Sequence, residues 1–439
     1  MIRYLVVPQA TARIDAGRYW ARLGDTTIVW TAADQRLGRA SRQAPALRLV
    51  TQVGRSFQHE HHGVTVLVDH GRHLVVAGDI APGVAADGCW RVTPLPTGTV
   101  VVDRPAPPAA RADPGTDALV AQLSETSYAA DVAWLAGLPT RHSLSTHFGT
   151  AVGWAQSRLA ALGFGTARPA ITVGPGHSDN LVGDRPGSGA NRGLVIVTAH
   201  LDSINLAGGP SAPAPGADDN ASGAGGVLEL ARVLASHPWQ HDLRVILFGG
   251  EEEGLHGSRQ YVAALPAADR ARIRAVLNMD MIATRNTATP TVLLEGAAVS
   301  AGQIATLAGA AASYTGLTVE TSLSPFASDH VPFIDAHLPA VLTIEGGDGA
   351  NGNIHSAADV LSHVDSGFAL QILRMNLGAL AQWLGAFPAV PRPAGQAVAW
   401  DTDRLDIFAT GYDGVLLHKA WDGTAWQPAV TSYEPLGRP

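Results

Sequence analysis

The sequence predicts an α/β fold for the middle of the chain, a mainly parallel sheet flanked by helices, with β-rich segments before and after it. Two observations carry this expectation. Between Thr116 and Ala386, strand-like apolar runs alternate with stretches of helical period, the order expected of strands joined by crossover helices. The run Leu194-Val195-Ile196-Val197-Thr198 is apolar without alternation, as in a strand covered on both faces.

Residues 1–104 alternate instead, as in Thr26-Thr27-Ile28-Val29-Trp30, Gly63-Val64-Thr65-Val66-Leu67-Val68 and Thr99-Val100-Val101-Val102, with Gly and Asp turns between. They read as a β-rich N-terminal domain, a pro-region or a lid. Pro105-Ala106-Pro107-Pro108 and Asp113-Pro114-Gly115 break the pattern and mark a linker over 105–117. Apolar spacing at Leu119 and Leu123, Val132 and Leu135, then Val152, Ala155, Leu159 and Leu162 predicts two or three helices before the strand at Leu194. Further strands are expected at Leu243–Phe248, Ala275–Met281, Thr291–Leu294 and Ala340–Ile344. Helices are expected around Val227–Leu234, Ser258–Leu265, 300–312 and 364–386. The α/β domain thus spans 118–387. A Pro-rich linker at 388–396 leads to a Trp-rich β segment over 397–439.

Composition limits the function. Of 439 residues, 46% are hydrophobic and 15% charged, a globular balance. Net charge is −8, and Lys419 is the only lysine, so a nucleic-acid or anionic-membrane surface finds no support and neutral substrates remain open. The single cysteine, Cys89, excludes an internal disulfide framework and is expected to be buried in a strand. The apolar run after Met1 is too short for a secretory signal, and no stretch approaches a membrane span. That leaves a cytosolic protein or one whose leader has been removed.

Five short motifs fall where strands of the α/β region end, the edge at which such sheets place ligands. Ala199-His200-Leu201-Asp202 sets a histidine two residues before an acid that can accept from its second ring nitrogen, although the same pair also serves as a structural hydrogen bond. Gly216-Ala217-Asp218-Asp219-Asn220 leads into a helix, where its carboxylates either cap the helix or hold a cation. Gly249-Gly250-Glu251-Glu252-Glu253 places three glutamates at a strand exit, where they repel unless a cation compensates them. Asn278-Met279-Asp280-Met281 embeds an acid among apolar residues, which is costly without a partner. Asn353-Ile354-His355-Ser356 supplies a second histidine, which by itself could be an ordinary loop residue.

In this order, the motifs resemble the M28 family of zinc peptidases over about 118–387, and with it a zinc exopeptidase fold. The resemblance implies a di-zinc aminopeptidase. His200 and Asp280 would hold one zinc, Glu252 and His355 the other, and Asp219 would bridge them. Glu251 would be the general base and Asp202 the partner of His200. The family commonly has a cis peptide after the bridging acid, here Asp219-Asn220, and the segment Ser328-Asp329-His330 also recurs in it. Pro325 and Ile354 stand where some members place a tyrosine that stabilises the oxyanion. A glutaminyl-cyclase-like or carboxypeptidase-type member of the superfamily is the enzymatic alternative, and a catalytically inactive binding module the other. The resemblance also implies peptide substrates and a secreted or periplasmic location.

Other signals receive structural readings. His59-Glu60-His61-His62 lacks the spacing of a helical zinc motif and reads as a solvated loop. The glycines at 174–176 and 223–226 are assigned to turns and close packing. The segment from Trp400 to Trp426 resembles one repeat of Trp-rich β-propeller lectins, either the start of a longer array or a small extension packed on the peptidase, with carbohydrate as an expected contact.

Overall fold

A computed structural model describes residues 1–12, 18–31, 37, 40–85, 88–385, 392–410, 416–429 and 433–437. Of the Pro-rich linker expected at 388–396, residues 388–391 lie outside the described residues. At the centre of the molecule lies an eight-stranded sheet flanked by helices. Three helices come first: α1 (Pro114–Val120), α2 (Glu125–Ala136) and α3 (Thr146–Ala161). Each begins at a side-chain cap, where Asp113, Ser124 and Ser145 accept from backbone amides of the first turn. The strands are β1 (Gly165–Ala167), β2 (Leu181–Arg185), β3 (Leu194–His200), β4 (Asp242–Phe248), β5 (Ile273–Met279), β6 (Thr291–Glu295), β7 (Thr318–Ser322) and β8 (Ala340–Glu345). The helices among and after them are α4 (Gly223–Leu234), α5 (His256–Ala264), α6 (Ala301–Tyr314) and α7 (Ser366–Leu384).

The sheet order is β1-β2-β4-β3-β5-β8-β6-β7. Strands β4, β3, β5 and β8 run parallel through the middle, while β2 against β4 and β6 against β8 are antiparallel. The mainly parallel sheet expected from sequence is therefore parallel at its heart and mixed towards its edges. The helices expected before Leu194 are present, but the strand at Leu194 does not follow them directly. Strands β1 and β2 and a hairpin of Ala170–Val173 with Gly176–Asp179 come between. These strands are only three to five residues long and carry Gly183, Asp184, His177 and Asp179, too polar to stand out as apolar runs.

Alternating side chains of the central strands sort into two cores. Val195, Val197, Val245 and Leu277 meet the helices α2, α3, α4 and α7 in one cluster. Ile196, Ile246, Phe248 and Val276 meet Tyr261 and Val262 of α5 and Phe333 of the short helix His330–Asp335 in another. Farther along, Leu293, Leu342 and Ile344 are covered by the N-terminal strands instead, in a cluster shared with Tyr4, Ile28, Leu49 and Val75.

Those N-terminal strands form two five-stranded sheets. One contains Ile2–Pro8, Tyr19–Leu23, Thr26–Thr31, Arg42–Ala44 and Thr99–Val102, and the other Leu47–Gln52, Thr65–His70, His73–Ala77, Gly83–Val84 and Trp90–Pro94. Beyond them, Asp103 and Thr321 of β7 exchange both backbone hydrogen bonds at 2.9 Å, so the chain just before the linker pairs with the outer strand of the central sheet. Two local expectations change. His59 and Glu60 end a short helix, Ser56–Glu60, and are exposed like His62, whereas His61 is half-buried and stacks on Phe57 at 4.3 Å. Cys89 is half-buried in the bend before Trp90, not inside a strand. After α7, a five-stranded sheet spans Arg392–Gly437. Among the described residues no helix is long and apolar enough to cross a membrane.

Leu277, fully buried at the middle of β5, should be sensitive to truncation. Leu277→Ala is expected to lower unfolding free energy by about 2 to 5 kcal/mol in urea titrations, while Val299→Ala at a 42% exposed site changes it by less than about 0.5 kcal/mol. Equal effects would contradict this assignment of the core.

Candidate metal centre

Parallel strands deliver side chains to a common edge, and here that edge is the carboxyl end of β3, β4, β5 and β8. His200 is the last residue of β3, Asp280 follows β5 directly, and Glu251 and Glu252 stand three and four residues beyond Phe248 of β4. Asp219 comes from the turn that opens α4, and His355 from the loop after β8. All of these sequence-predicted residues converge.

Asp219 sits between the two imidazoles. Its Oδ1 is 3.2 Å from His200 Nε2 and its Oδ2 is 3.0 Å from His355 Nε2. His200 Nε2 is also 3.2 Å from Asp280 Oδ1, and His355 Nε2 is 3.0 Å from Glu252 Oε2. Glu251, His200 and Asp280 offer ligand atoms within 4.8 Å of one another, as do His200, Asp219 and Glu252. The role foreseen for Asp202 takes a different form. His200 Nδ1 lies 3.2 Å from the backbone carbonyl of Asp202 and 3.6 Å from its carboxylate, whose Oδ2 accepts from the Glu252 amide at 3.1 Å. The two-residue spacing brings the main chain nearer to the ring than the side chain, and the carboxylate orients the glutamate loop instead.

The charge balance is one-sided. Burial pushes Glu251 well above the usual carboxylate range, with the neighbouring Asp280, Asp329 and Glu252 adding to it against the pull of His200. Burial and Asp219 take Glu252 up to about 7, and burial takes Asp329 up to about 7. Burial alone would keep both imidazoles neutral, yet the carboxylates raise His200 and His355 well above the ordinary histidine value. Asp219 is lowered, its burial outweighed by the hydrogen bonds it shares with both rings. Glu252 Oε1, Asp202 Oδ1 and both Asp329 oxygens are buried with no hydrogen-bond partner. Buried anions in this number, with acceptor atoms left over, fit a site made to receive cations.

The backbone around the site is held in part by residues that were not singled out from sequence, Arg141 first among them. Arg141, fully buried, donates to the carbonyls of Leu201 at 2.8 Å, Gly216 at 2.9 Å and Leu135 at 3.2 Å, and to that of Pro215. Burial lowers its pKa to about 10, and it stays charged. Asp359 accepts from the amides of Asp218 at 3.0 Å and Asp219 at 2.9 Å. Asp218 in turn accepts from the Ala283 amide at 2.9 Å and Asn351 Nδ2 at 2.8 Å. Ser328 donates to Asp280 Oδ2 at 2.6 Å, which places the Ser-Asp-His segment beside the site. Glu253 pairs with His142 at 3.0 Å and lies outside both groups of candidate ligands. A buried arginine between helices has no sequence signature.

Local geometry is demanding here. The peptide Asp219-Asn220 is cis, as in the family pattern. Gly250 has φ +68°, and a Cβ on Gly249 would lie 2.6 Å from the Phe148 ring, so the turn before the glutamates needs both glycines. Met281 and His355 adopt positive φ without being glycine, a cost of about 1 to 2 kcal/mol each that the surrounding contacts must sustain.

Residues 180–380 match the model of peptidase family M28. Over that stretch the chain is similar to the M28 peptidases. Leupeptin-inactivating enzyme 1 from Streptomyces exfoliatus is 30% identical over 270 residues, 56% of this chain and 57% of that protein. Aminopeptidase YwaD from Bacillus subtilis is 33% identical over 170 residues, 38% of this chain and 36% of its own length. The chain therefore spans about half or less of these two relatives. The crystal structure of the LapA aminopeptidase of Legionella pneumophila shares the fold with a TM-score of 0.56 at 15% identity, over 78% of this chain and 99% of that one.

The position of Ile354 has a local explanation. Its side chain packs against the N-terminal core, where a Cβ on Gly54 would come within 2.8 Å of Ile354 Cδ1. An aliphatic residue suits that contact.

Arg141 is expected to dominate the stability of this edge. Arg141→Met leaves buried carbonyls without donors, at about 1 to 3 kcal/mol for each unpaired group, so urea unfolding should show a loss on the order of 3 kcal/mol or more. A loss under about 1 kcal/mol would mean that those carbonyls find other donors.

Proposed function

We propose that the protein is a di-zinc aminopeptidase that hydrolyses the first peptide bond of peptides bearing a free amino end. The observation that carries this is Asp219, with one oxygen toward each histidine and a further carboxylate beyond each, Asp280 and Glu252. Two ligands about 2.0 to 2.1 Å from one zinc at a tetrahedral angle stand about 3.3 Å apart. The histidine–carboxylate distances of 3.0 to 3.2 Å are close to that separation. His200 and Asp280 would hold one zinc, His355 and Glu252 the other, with Asp219 shared. Zinc held there supplies a Lewis acid that polarises a peptide carbonyl and makes water a nucleophile near neutral pH.

The protein's own part is to move a proton and to position the peptide. Glu251 stands within ligand distance of His200 and Asp280, and its raised affinity for protons suits a general base. It would take a proton as water adds to the carbonyl carbon and give it to the nitrogen as the C–N bond breaks, releasing a free amine and a carboxylate. Asp202 would act on this loop through the Glu252 amide. Selectivity for a free amino end is supported by the aminopeptidase name of the Bacillus subtilis relative and by the turn Asp219-Asn220-Ala221-Ser222-Gly223.

Two measurements test these assignments. Glu251→Gln should lower kcat by roughly 10² to 10⁴-fold with zinc content unchanged, whereas Glu252→Gln should lose zinc together with activity. Elemental analysis of both variants beside the wild type decides, and zinc loss in Glu251→Gln alone would shift the register of the glutamates. A peptide with a free amine should be cleaved and its acetylated counterpart left intact. Cleavage of the blocked peptide from its carboxyl end would make the enzyme a carboxypeptidase.

A further inference from the structure

The N-terminal sheets reach the metal-site edge through two turns. In one, Arg72 lies between the strands Thr65–His70 and His73–Ala77 and is 2% exposed. Its Nε is 3.2 Å from Glu295 Oε2 at the end of β6, and its Nη1 is 3.5 Å from Asp348 Oδ2 in the loop after β8. Its Nη2 donates to the Ala327 carbonyl at 2.7 Å and to that of Phe326. One guanidinium thus joins three segments of the peptidase domain. Two of them lead straight to the site: Ala327 precedes Ser328, which bonds Asp280, and Asp348 opens the loop that ends at His355.

The second turn holds the same loop. Arg55 Nε donates to the Gly349 carbonyl at 2.7 Å, and Gly54 packs on Ile354, the residue before His355. Beside them the backbones of Gly71 and Gly349 are so close that a Cβ on Gly349 would lie 2.7 Å from Gly71. Both ends of 347–354 are therefore gripped from the N-terminal side. His355 itself has φ +55°, a conformation that persists only where its surroundings impose it. Within the peptidase domain, its carbonyl accepts one backbone bond, from Leu206 at 3.1 Å.

We propose that Arg72 and Arg55 are positioning residues of the metal centre, and that the N-terminal sheets are a permanent clamp on the His355 loop rather than a pro-region to be discarded or a lid that opens. The clamp rests on the two-zinc reading above for its effect on metal, though not for its effect on the loop. Residues that orient a ligand without touching the metal commonly change affinity about 10- to 100-fold. Arg55 holds only the middle of the loop, so Arg55→Ala should act on the zinc of His355 and Glu252, whereas Arg72 also reaches the Ser328 segment that bonds Asp280, so Arg72→Lys should loosen that of His200 as well.

The test compares the full-length wild type with Arg72→Lys and Arg55→Ala. Lysine keeps the charge but cannot span four acceptors in three segments, and Arg55→Ala removes a single hydrogen bond, so it remains informative should Arg72→Lys fail to fold. Zinc is titrated against a chelator, and amide exchange of residues 346–358 is followed in the zinc-free proteins. One of two zincs in Arg55→Ala, and both in Arg72→Lys, are expected to leave at about 10- to 100-fold lower chelator concentration, kcat to fall more than KM rises, and the loop amides to exchange faster even without metal. Wild-type zinc affinity and exchange in a variant whose melting temperature has merely dropped would reduce these arginines to structural residues and overturn the proposal. Wild-type protein that binds fewer than two zincs while the variants still exchange faster would overturn the two-zinc reading and leave the clamp standing.

Discussion

Buried negative charge at the carboxyl edge of the central sheet is the constraint around which the rest is arranged. Asp202, Asp219, Glu252 and Asp280 are withdrawn from water within a few ångströms of two imidazoles, and Asp329 is buried as well. Ionised groups are expensive in such surroundings unless paired. The histidines offset part of the charge. What remains explains the raised proton affinities of Glu251, Glu252 and Asp329 and the carboxylate oxygens left without donors. Everything around the edge then serves to keep mutually repelling groups from relaxing apart.

That restraint is applied to backbone more than to the reactive side chains. Arg141 gathers the carbonyls of Leu135, Leu201, Pro215 and Gly216, Asp359 gathers the amides of Asp218 and Asp219, and Asn220 ties its turn to Met279 by a 3.0 Å hydrogen bond. Asn180 joins the amide of Gly249 to the carbonyl of Gly257, and Ser143 receives the amide of Gly250. The glutamate loop is thereby fixed at the turn that precedes it. Positive φ at Met281 and His355 fits the same picture, with strain located where ligands must face inward and sustained by contacts elsewhere.

Much of this was legible in the sequence, for a definable reason. A strand buried on both faces needs an unbroken apolar run, and an acid or histidine at its end interrupts that run conspicuously, so His200, Asp280 and the glutamates stood out. Strands β1 and β2 did not, because short strands with glycine and aspartate lack that contrast. Of the histidines near position 60, His59 and His62 are solvated as read, but nothing local reveals the Phe57 ring beneath His61. Spacing alone could not say whether the carbonyl or the carboxylate of Asp202 would meet His200, a choice made by the backbone path. Arg141 and Arg72 act across 60 residues and more, and their partners are carbonyls and acids that the tertiary structure selects.

The pairing of Asp103 with Thr321 bears on solubility. A sheet of eight strands ordinarily ends in two rows of unused amides and carbonyls, each a template for a strand from another molecule. Here one outer strand, β1, is only three residues long. The other, β7, has its middle occupied by the chain segment that leaves the N-terminal sheets, with Arg104 reaching Glu320 at 2.6 Å beside it. The connection between the two β-containing layers thus doubles as a plug, and the larger sheet offers neighbouring copies no long bare border along which to stack.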